Sequence, residues 1–237
     1  MFGQDYNFLS PFKHRHKEQR ALVCGAGCSL NDIDFHKLSK DIVIFACNQA
    51  TTSMDYCDYF CMTDCSVPSL NYFDHAINIS KNIIGFGSFW LDRPTMEFYN
   101  KLKDKMYCLQ RETSNIFNFD SSNNLLIYGR DVVHVTSHFA YLTGCSPIIL
   151  AGVDLNYTGG RKYCKSTIFK KIVYWRDNSF DYSDEPSPPT TDWELDYSFK
   201  GWEIIKNQNP TIKFLNTNPK GRLAELFETI SLESLYG

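Results

Sequence analysis

Apolar residues in this chain come in short, dense runs that end in polar or glycine-containing turns. The run at 21–24 ends in Gly25-Ala26-Gly27, the run at 42–47 in Asn48-Gln49, and the run at 59–62 in Thr63-Asp64; a weaker run covers 82–85. Short apolar runs without alternation predict strands buried on both faces, as in a parallel sheet. After the first run, Ser29 or Asn31 is placed to cap a short helix through Leu38. The pattern is lost from Phe89 to about Leu125 and resumes with an amphipathic helix at 132–142. Its apolar Val132, Val135, Phe139 and Leu142 recur at helical spacing, and Gly144 can terminate it. A strand at 147–151 ends in Gly152-Val153-Asp154. Residues 155–200 are polar and carry Glu185-Pro186-Ser187-Pro188-Pro189, which predicts a long loop or lid. A helix at about 197–206, a strand at 212–215, the turn Asn216-Thr217-Asn218 and a closing helix at 222–230 complete the reading. The expected architecture is α/β: a doubly wound, Rossmann-like, mostly parallel sheet with a lid segment. Residues 1–19 are expected to form an N-terminal arm, and 20–237 a single domain.

Composition agrees with one large globular domain. The chain has 237 residues, 43% apolar and 22% charged, which excludes a disordered tail, a collagen or a coiled-coil rod. Its 24 basic and 27 acidic residues give a net charge of −3, with no bulk signature of a nucleic-acid partner. No run approaches the roughly 18 apolar residues of a transmembrane helix, and the N-terminus lacks the apolar core of a secretory signal. Cysteines number nine, several in or beside apolar runs, which favours reduced thiols in a cytoplasmic protein. Cys57, Cys61 and Cys65 have neither a CxxC pair nor a nearby histidine to complete a zinc set, so no metal site is expected.

Ligands of doubly wound sheets lie beyond the carboxyl ends of the strands, where the strand order reverses. Polar and small residues recur at those ends: Gly25, Gly27 and Ser29; Asn48 and Gln49; Asp64; Asp154; Asn216 and Asn218. Gly25-Ala26-Gly27 permits a tight turn and close approach to a phosphate, but Leu30 breaks the GxGxxG pattern, so a single nucleotide fits better than a dinucleotide. Asn48 and Gln49 suit a sugar or a base edge, and Asp64 a ribose hydroxyl or Mg²⁺. His134 and His138 stand one helical turn apart, on a helix whose apolar stripe favours buried, satisfied rings. Thr136 and Ser137 are candidates to face the cleft. Lys13, His14, Arg15, His16 and Lys17 make the N-terminal segment basic, a feature compatible with a surface contact.

Three segments carry a family resemblance: Cys24-Gly25-Ala26-Gly27-Cys28-Ser29-Leu30-Asn31, then Phe45-Ala46-Cys47-Asn48-Gln49, then 144–154 ending in Gly152-Val153-Asp154. They resemble small bacterial sialyltransferases, with their G-x-G-P-S-L turn, C-N-Q strand end and L-x-G-x-D strand. Residues 152–160 with Thr63-Asp64 resemble equally the motility-associated-factor glycosyltransferases, which share a domain type with archaeal 6-hydroxymethylpterin diphosphokinases. The resemblance covers roughly 20–65 and 128–225. It implies a metal-independent transferase using a CMP-linked, sialic-acid-like (nonulosonic) sugar and a glycan or protein acceptor. Gly25, Gly27 and Ser29 would line the nucleotide turn, Asn48 and Gln49 would contact the donor, and Thr136 and Ser137 its sugar or phosphate. Tyr157 and Tyr163 would hold the leaving phosphate. Transferases of this type often assemble into oligomers and work near membranes, so the resemblance allows a homo-oligomer peripheral to a membrane.

Two positions depart from the family pattern. Cys28 stands where those enzymes have proline, and every histidine lies at or before position 138, so the family's lid histidine base is absent. Asp192, Glu194 and Asp196 are the bases available in the equivalent stretch. The alternatives are diphosphate transfer from ATP to a pterin-like alcohol, with Asp64 and Asp154 holding Mg²⁺, and a non-catalytic nucleotide-binding domain.

Overall fold

A computed structural model of the chain describes residues 9–64, 67, 71–86, 102, 105–109, 111–113, 117–120, 126–156, 164, 172–173, 179–180 and 192–237. The strands are β1 (Arg20–Cys24), β2 (Ile42–Cys47), β3 (Cys57–Met62), β4 (Ser80–Phe86), β5 (Met106–Leu109), β6 (Arg111–Thr113), β7 (Leu126–Tyr128), β8 (Ile148–Ala151), β9 (Ile172–Val173), β10 (Ser179–Phe180), β11 (Phe214–Asn216) and β12 (Glu228–Thr229). Three α-helices lie within the described residues over their whole length: α1 (Phe73–Ile79), α2 (Val132–Leu142) and α3 (Asp192–Gln208).

Eight strands form one sheet in the order β12-β11-β8-β1-β2-β3-β4-β5, with every neighbouring pair parallel. From β1 the chain winds outward to β5, then returns to the other flank of β1 as β8 and continues to β12. Strand order therefore reverses between β1 and β8, and the α/β class read from the sequence is the one observed. β6–β7 and β9–β10 are separate two-stranded pairs.

Both faces of the sheet are covered, which is why its strands read as unbroken apolar runs. Ala21, Val23, Val43, Phe45, Ile148 and Leu150 point into a cluster with Phe139 of α2 and Trp202 of α3. The alternate residues Leu22, Cys24, Ile44, Ala46, Ile149 and Ala151 point to the opposite face, against Leu30 and against Phe73 and Ala76 of α1. The first face is aromatic: Phe139 meets Phe12, Phe45, Tyr59 and Phe86 edge-on at 5.4–6.0 Å. Edge-on aromatic contacts of this kind add to the area they bury.

Several elements differ from expectation, each for a packing reason. Residues 9–19 are not a detached arm, because Phe12 is only 1% exposed in the aromatic cluster. The N–H groups of His14 and His16 donate to the carbonyls of Leu142 and Thr143, and His16 Nε2 lies 2.7 Å from the Tyr59 hydroxyl. In place of one helix through Leu38 there are two 3-10 turns, Cys28–Asp32 and Phe35–Lys37, the second capped by Asp34. The expected closing helix is a 3-10 turn (Arg222–Glu225), then β12, then a second turn (Leu232–Leu235). Leu223, Phe227 and Ile230 have helical spacing, but Leu223 and Phe227 serve the aromatic face and Ile230 the opposite one. One helix cannot supply both sides of a sheet, so the segment extends and pairs with β11 instead. α3 begins at Asp192, so the last residues assigned to the loop are helical. β5 and α1 had no clear sequence signal; the first is an edge strand and the second spans only 7 residues. Among the described residues no helix is long and apolar enough to cross a membrane.

Candidate functional site

At the reversal point the β1 and β8 turns interlock. Gly25 N–H donates to the Ala151 carbonyl at 2.8 Å, and Gly27 N–H to the Gly152 carbonyl at 2.7 Å. The approach is close enough that a Cβ on Gly25 would stand 2.6 Å from the Gly152 oxygen. Gly152 itself has φ +63°, and its Cβ would lie 2.4 Å from the Gly25 oxygen. Glycine is required on both sides of this crossing by contact and by conformation.

Asp154, 3% exposed, is the hub of the crossing. Ser29 N–H donates to its Oδ2 at 2.9 Å, the Ser29 hydroxyl donates to Oδ1, and Asn218 Nδ2 donates to Oδ1 at 2.8 Å. Asn216 braces Asn218: its Nδ2 donates to the Asn218 carbonyl at 2.7 Å, and its Oδ1 accepts from Asn218 N–H at 3.3 Å. Arg222 N–H donates to the Asp154 carbonyl at 2.9 Å. Three strand ends, β1, β8 and β11, are thus tied through one carboxylate. A groove of about 520 Å³ opens beside it, lined by Ser29, Asn218, Thr229 and Ser231 among others.

One strand further along, Asn48 follows directly on β2 in the left-handed region, with φ +47°, and opens the 3-10 turn Asn48–Ser53. Its side-chain Oδ1 is buried and, among the described residues, has no hydrogen-bond partner. A buried acceptor left unmade costs free energy; among the described residues His134 Nε2 and Trp202 Nε1, in the core, are also without a hydrogen-bond partner, but only Asn48 stands at a strand end. Gln49 is buried and Asp64 is exposed at the end of β3.

Thr136 and Ser137 lie fully buried in α2. The Ser137 hydroxyl donates to the Val133 carbonyl at 2.8 Å, and Thr136 Oγ1 accepts from the Cys47 thiol at 3.4 Å. Burial pushes the Cys47 thiol up to about 12, against the Thr136 contact, so it is not a nucleophile at neutral pH. The histidines of this helix are core residues. His138 Nδ1 accepts from Ile127 N–H at 2.9 Å, Nε2 faces the Phe119 carbonyl at 3.1 Å, and burial drives the ring down to about 4. His134 Nδ1 accepts from Arg130 N–H at 3.0 Å, and its ring packs on Trp202 at 4.5 Å. The helix is capped by Asp131, which accepts from Val133 N–H and His134 N–H and from the Ser198 hydroxyl of α3. Burial works against the charge on Asp131, but its His134 and Ser198 partners outweigh that and hold the carboxyl at about 2.

Of the three candidate bases, Asp192 is the first residue of α3, Glu194 is exposed, and Asp196 accepts from Arg222 Nη1 at 2.6 Å. Tyr157 and Tyr163 lie outside the described residues. Cys164 is described and buried: its N–H donates to the Ala26 carbonyl at 2.6 Å, and its sulfur accepts from the Ser53 hydroxyl at 3.3 Å. The structure thus brings together Gly25, Gly27, Ser29 and Asp154, with Asn48 one strand away, and keeps Thr136 and Ser137 in the core. Sequence reading passed over Arg222, Arg130 and Asp131, since nothing in their local pattern ties them to residues 26 to 67 positions away.

A parallel, doubly wound sheet with polar loops clustered at its reversal point defines a Rossmann-like α/β protein. The chain belongs to the MptE-like family: the family described as 6-hydroxymethylpterin diphosphokinase MptE-like matches residues 3–160. Its fold is that of bacterial sialyltransferases. The sialyltransferase CstII from Campylobacter jejuni, in complex with cytidine-5′-monophosphate, is similar with a TM-score of 0.52 and 16% identity, over 93% of this chain and 88% of that one. CstII with a trisaccharide acceptor and CMP gives a TM-score of 0.51 and 17% identity over 89% and 86%. The monofunctional α-2,3-sialyltransferase Cst-I from the same organism gives 0.53 and 15% over 90% and 81%. No curated protein matches the chain.

Proposed function

We propose that this protein is a glycosyltransferase that moves a sialic-acid-like (nonulosonic) sugar from a CMP-linked donor to a hydroxyl of a glycan or protein. The observation that carries the reading is the orphaned Asn48 Oδ1 at the end of β2, beside the reversal point. In this reading it accepts a hydrogen bond from the donor, an amino group of the base or a hydroxyl of a sugar. The shared fold with CMP-bound sialyltransferases supports that choice of donor. In the reaction the acceptor oxygen attacks the anomeric carbon, its proton passes to a carboxylate at the start of α3, and CMP departs with the bonding electrons. Tyr157 and Tyr163 would donate hydrogen bonds to the leaving phosphate.

The family match favours a second reading, ATP-dependent diphosphate transfer to a pterin-like alcohol. That reaction requires Mg²⁺, and the two aspartates available for it do not fit one ion. β8 and β3 are separated by β1 and β2, so their ends stand about 14 Å apart at the usual strand spacing. Asp154 moreover already spends both oxygens on Ser29 and Asn218. Thermal-shift measurements with CMP, CDP, ATP and 6-hydroxymethylpterin, each with and without Mg²⁺, test the choice. CMP stabilisation independent of Mg²⁺ and reduced in Asn48→Ala is expected. Stabilisation by ATP only with Mg²⁺ would establish the diphosphokinase instead, and no response to any nucleotide would leave a non-catalytic domain.

A further inference from the structure

We propose that Arg222 is an anion-binding residue beside the reversal point, with Asp196 as the counter-ion that an incoming anionic group displaces. Its backbone is fixed to the reversal point, because its N–H donates to the Asp154 carbonyl at 2.9 Å. Its guanidinium lies 4.3 Å over the ring of the buried Phe199, which holds the planar group on one side and leaves its edge to make contacts. Among the described residues that edge makes a single hydrogen bond, Nη1 to Asp196 Oδ1 at 2.6 Å. A guanidinium carries five N–H donors in a fork suited to two oxygens at once, so a one-point contact leaves most of its capacity unspent.

The side chains of the pair are 30% and 55% exposed. An ion pair this open to water adds little to stability, so exchanging its carboxylate is not costly to the fold. A phosphate or carboxylate bound bidentately outcompetes a one-point partner. Assigning the anion to a group of the donor, its phosphate or the carboxylate of its sugar, rests on the transferase reading; the anion site itself does not.

Titrations of the full-length protein with inorganic pyrophosphate, CMP and a CMP-linked nonulosonic acid separate these possibilities. Arg222→Gln is expected to weaken binding about tenfold, and Asp196→Asn to tighten it several-fold, since the competitor is gone while the fork remains. Equal losses for CMP and pyrophosphate assign the phosphate; a loss confined to the CMP-linked sugar assigns the carboxylate. A response to pyrophosphate without any to CMP keeps the anion site and sinks the transferase reading. The proposal is overturned by weaker or unchanged binding of all three ligands in Asp196→Asn. Should Arg222→Gln fail to fold, Asp196→Asn decides alone, with Arg222→Lys as the charge-preserving control.

Discussion

Two neighbouring strand ends treat their polar atoms in opposite ways. At the β1–β8 crossing, Asp154 has donors on both oxygens, Asn218 is braced by Asn216, and the glycine turns lie in backbone contact. At the end of β2, Asn48 holds a strained backbone angle and leaves a buried oxygen unpaired. The first is built as a scaffold and the second as a receptor. Polar residues at the carboxyl ends of a sheet are therefore not equivalent, although composition alone gives them the same status. Ser29, which the sequence marks as a nucleotide contact, has its hydroxyl committed to Asp154, whereas Asn48 keeps capacity in reserve.

If that contrast is right, the scaffold should break before the receptor does. Gly152→Ala forces a Cβ to within 2.4 Å of a backbone oxygen at φ +63° and should cost about 4 kcal/mol or prevent folding; a denaturant midpoint like that of the parent would show that the crossing yields. Asp154→Ala strands the donors of Ser29 and Asn218 and should cost about 3 kcal/mol in equilibrium unfolding, with or without nucleotide. A stable variant defective only in CMP binding would instead make Asp154 a ligand residue.

Lowering the pH tests the core apart from either strand end. His138 falls from its ordinary 6.5 to about 4 on folding, because burial opposes the charged ring. The unfolded chain then binds the proton more readily than the folded one. Stability is complete above pH 6.5 and is lost as pH falls from there to about 4, by a decrement on the order of 3 kcal/mol. Urea titrations between pH 7 and 4 should show this slope, and it should flatten in His138→Gln; an unchanged slope in that variant would place the acid sensitivity elsewhere.

The smallest effect on stability belongs to Asn48→Ala, expected to cost about 1 kcal/mol because alanine tolerates φ +47° less well than asparagine does. The same change should weaken CMP about tenfold, read by calorimetric titration. A large stability loss with unaltered CMP binding would reverse the roles assigned to the two strand ends.

Much of this was legible from the chain, and the failures follow one rule. β1, β2, β3 and β8 were readable because strands buried on both faces must be apolar throughout, and α2 because its apolar stripe repeats at the helical period. The segment at 222–230 misled because residues with helical spacing divide between the two faces of the sheet, a division that exists only once the sheet does. Phe12 gave no local sign that it would fill the aromatic cluster, since its partners Tyr59, Tyr107 and Phe139 lie far along the chain.

By itself, then, the sequence determined the centre of the layers: that β1, β2, β3 and β8 are strands, that both faces are covered, and that small and polar residues collect at the strand ends. Those properties depend on residues adjacent in the chain or one turn apart, where periodicity records burial directly. Tertiary structure alone decided which polar residues are spent on each other, as Ser29 and Asn218 are on Asp154, and which are left to meet a ligand, as Asn48 is. A hydrogen bond between residues 125 positions apart depends on how the strands are ordered, and no local pattern encodes that order.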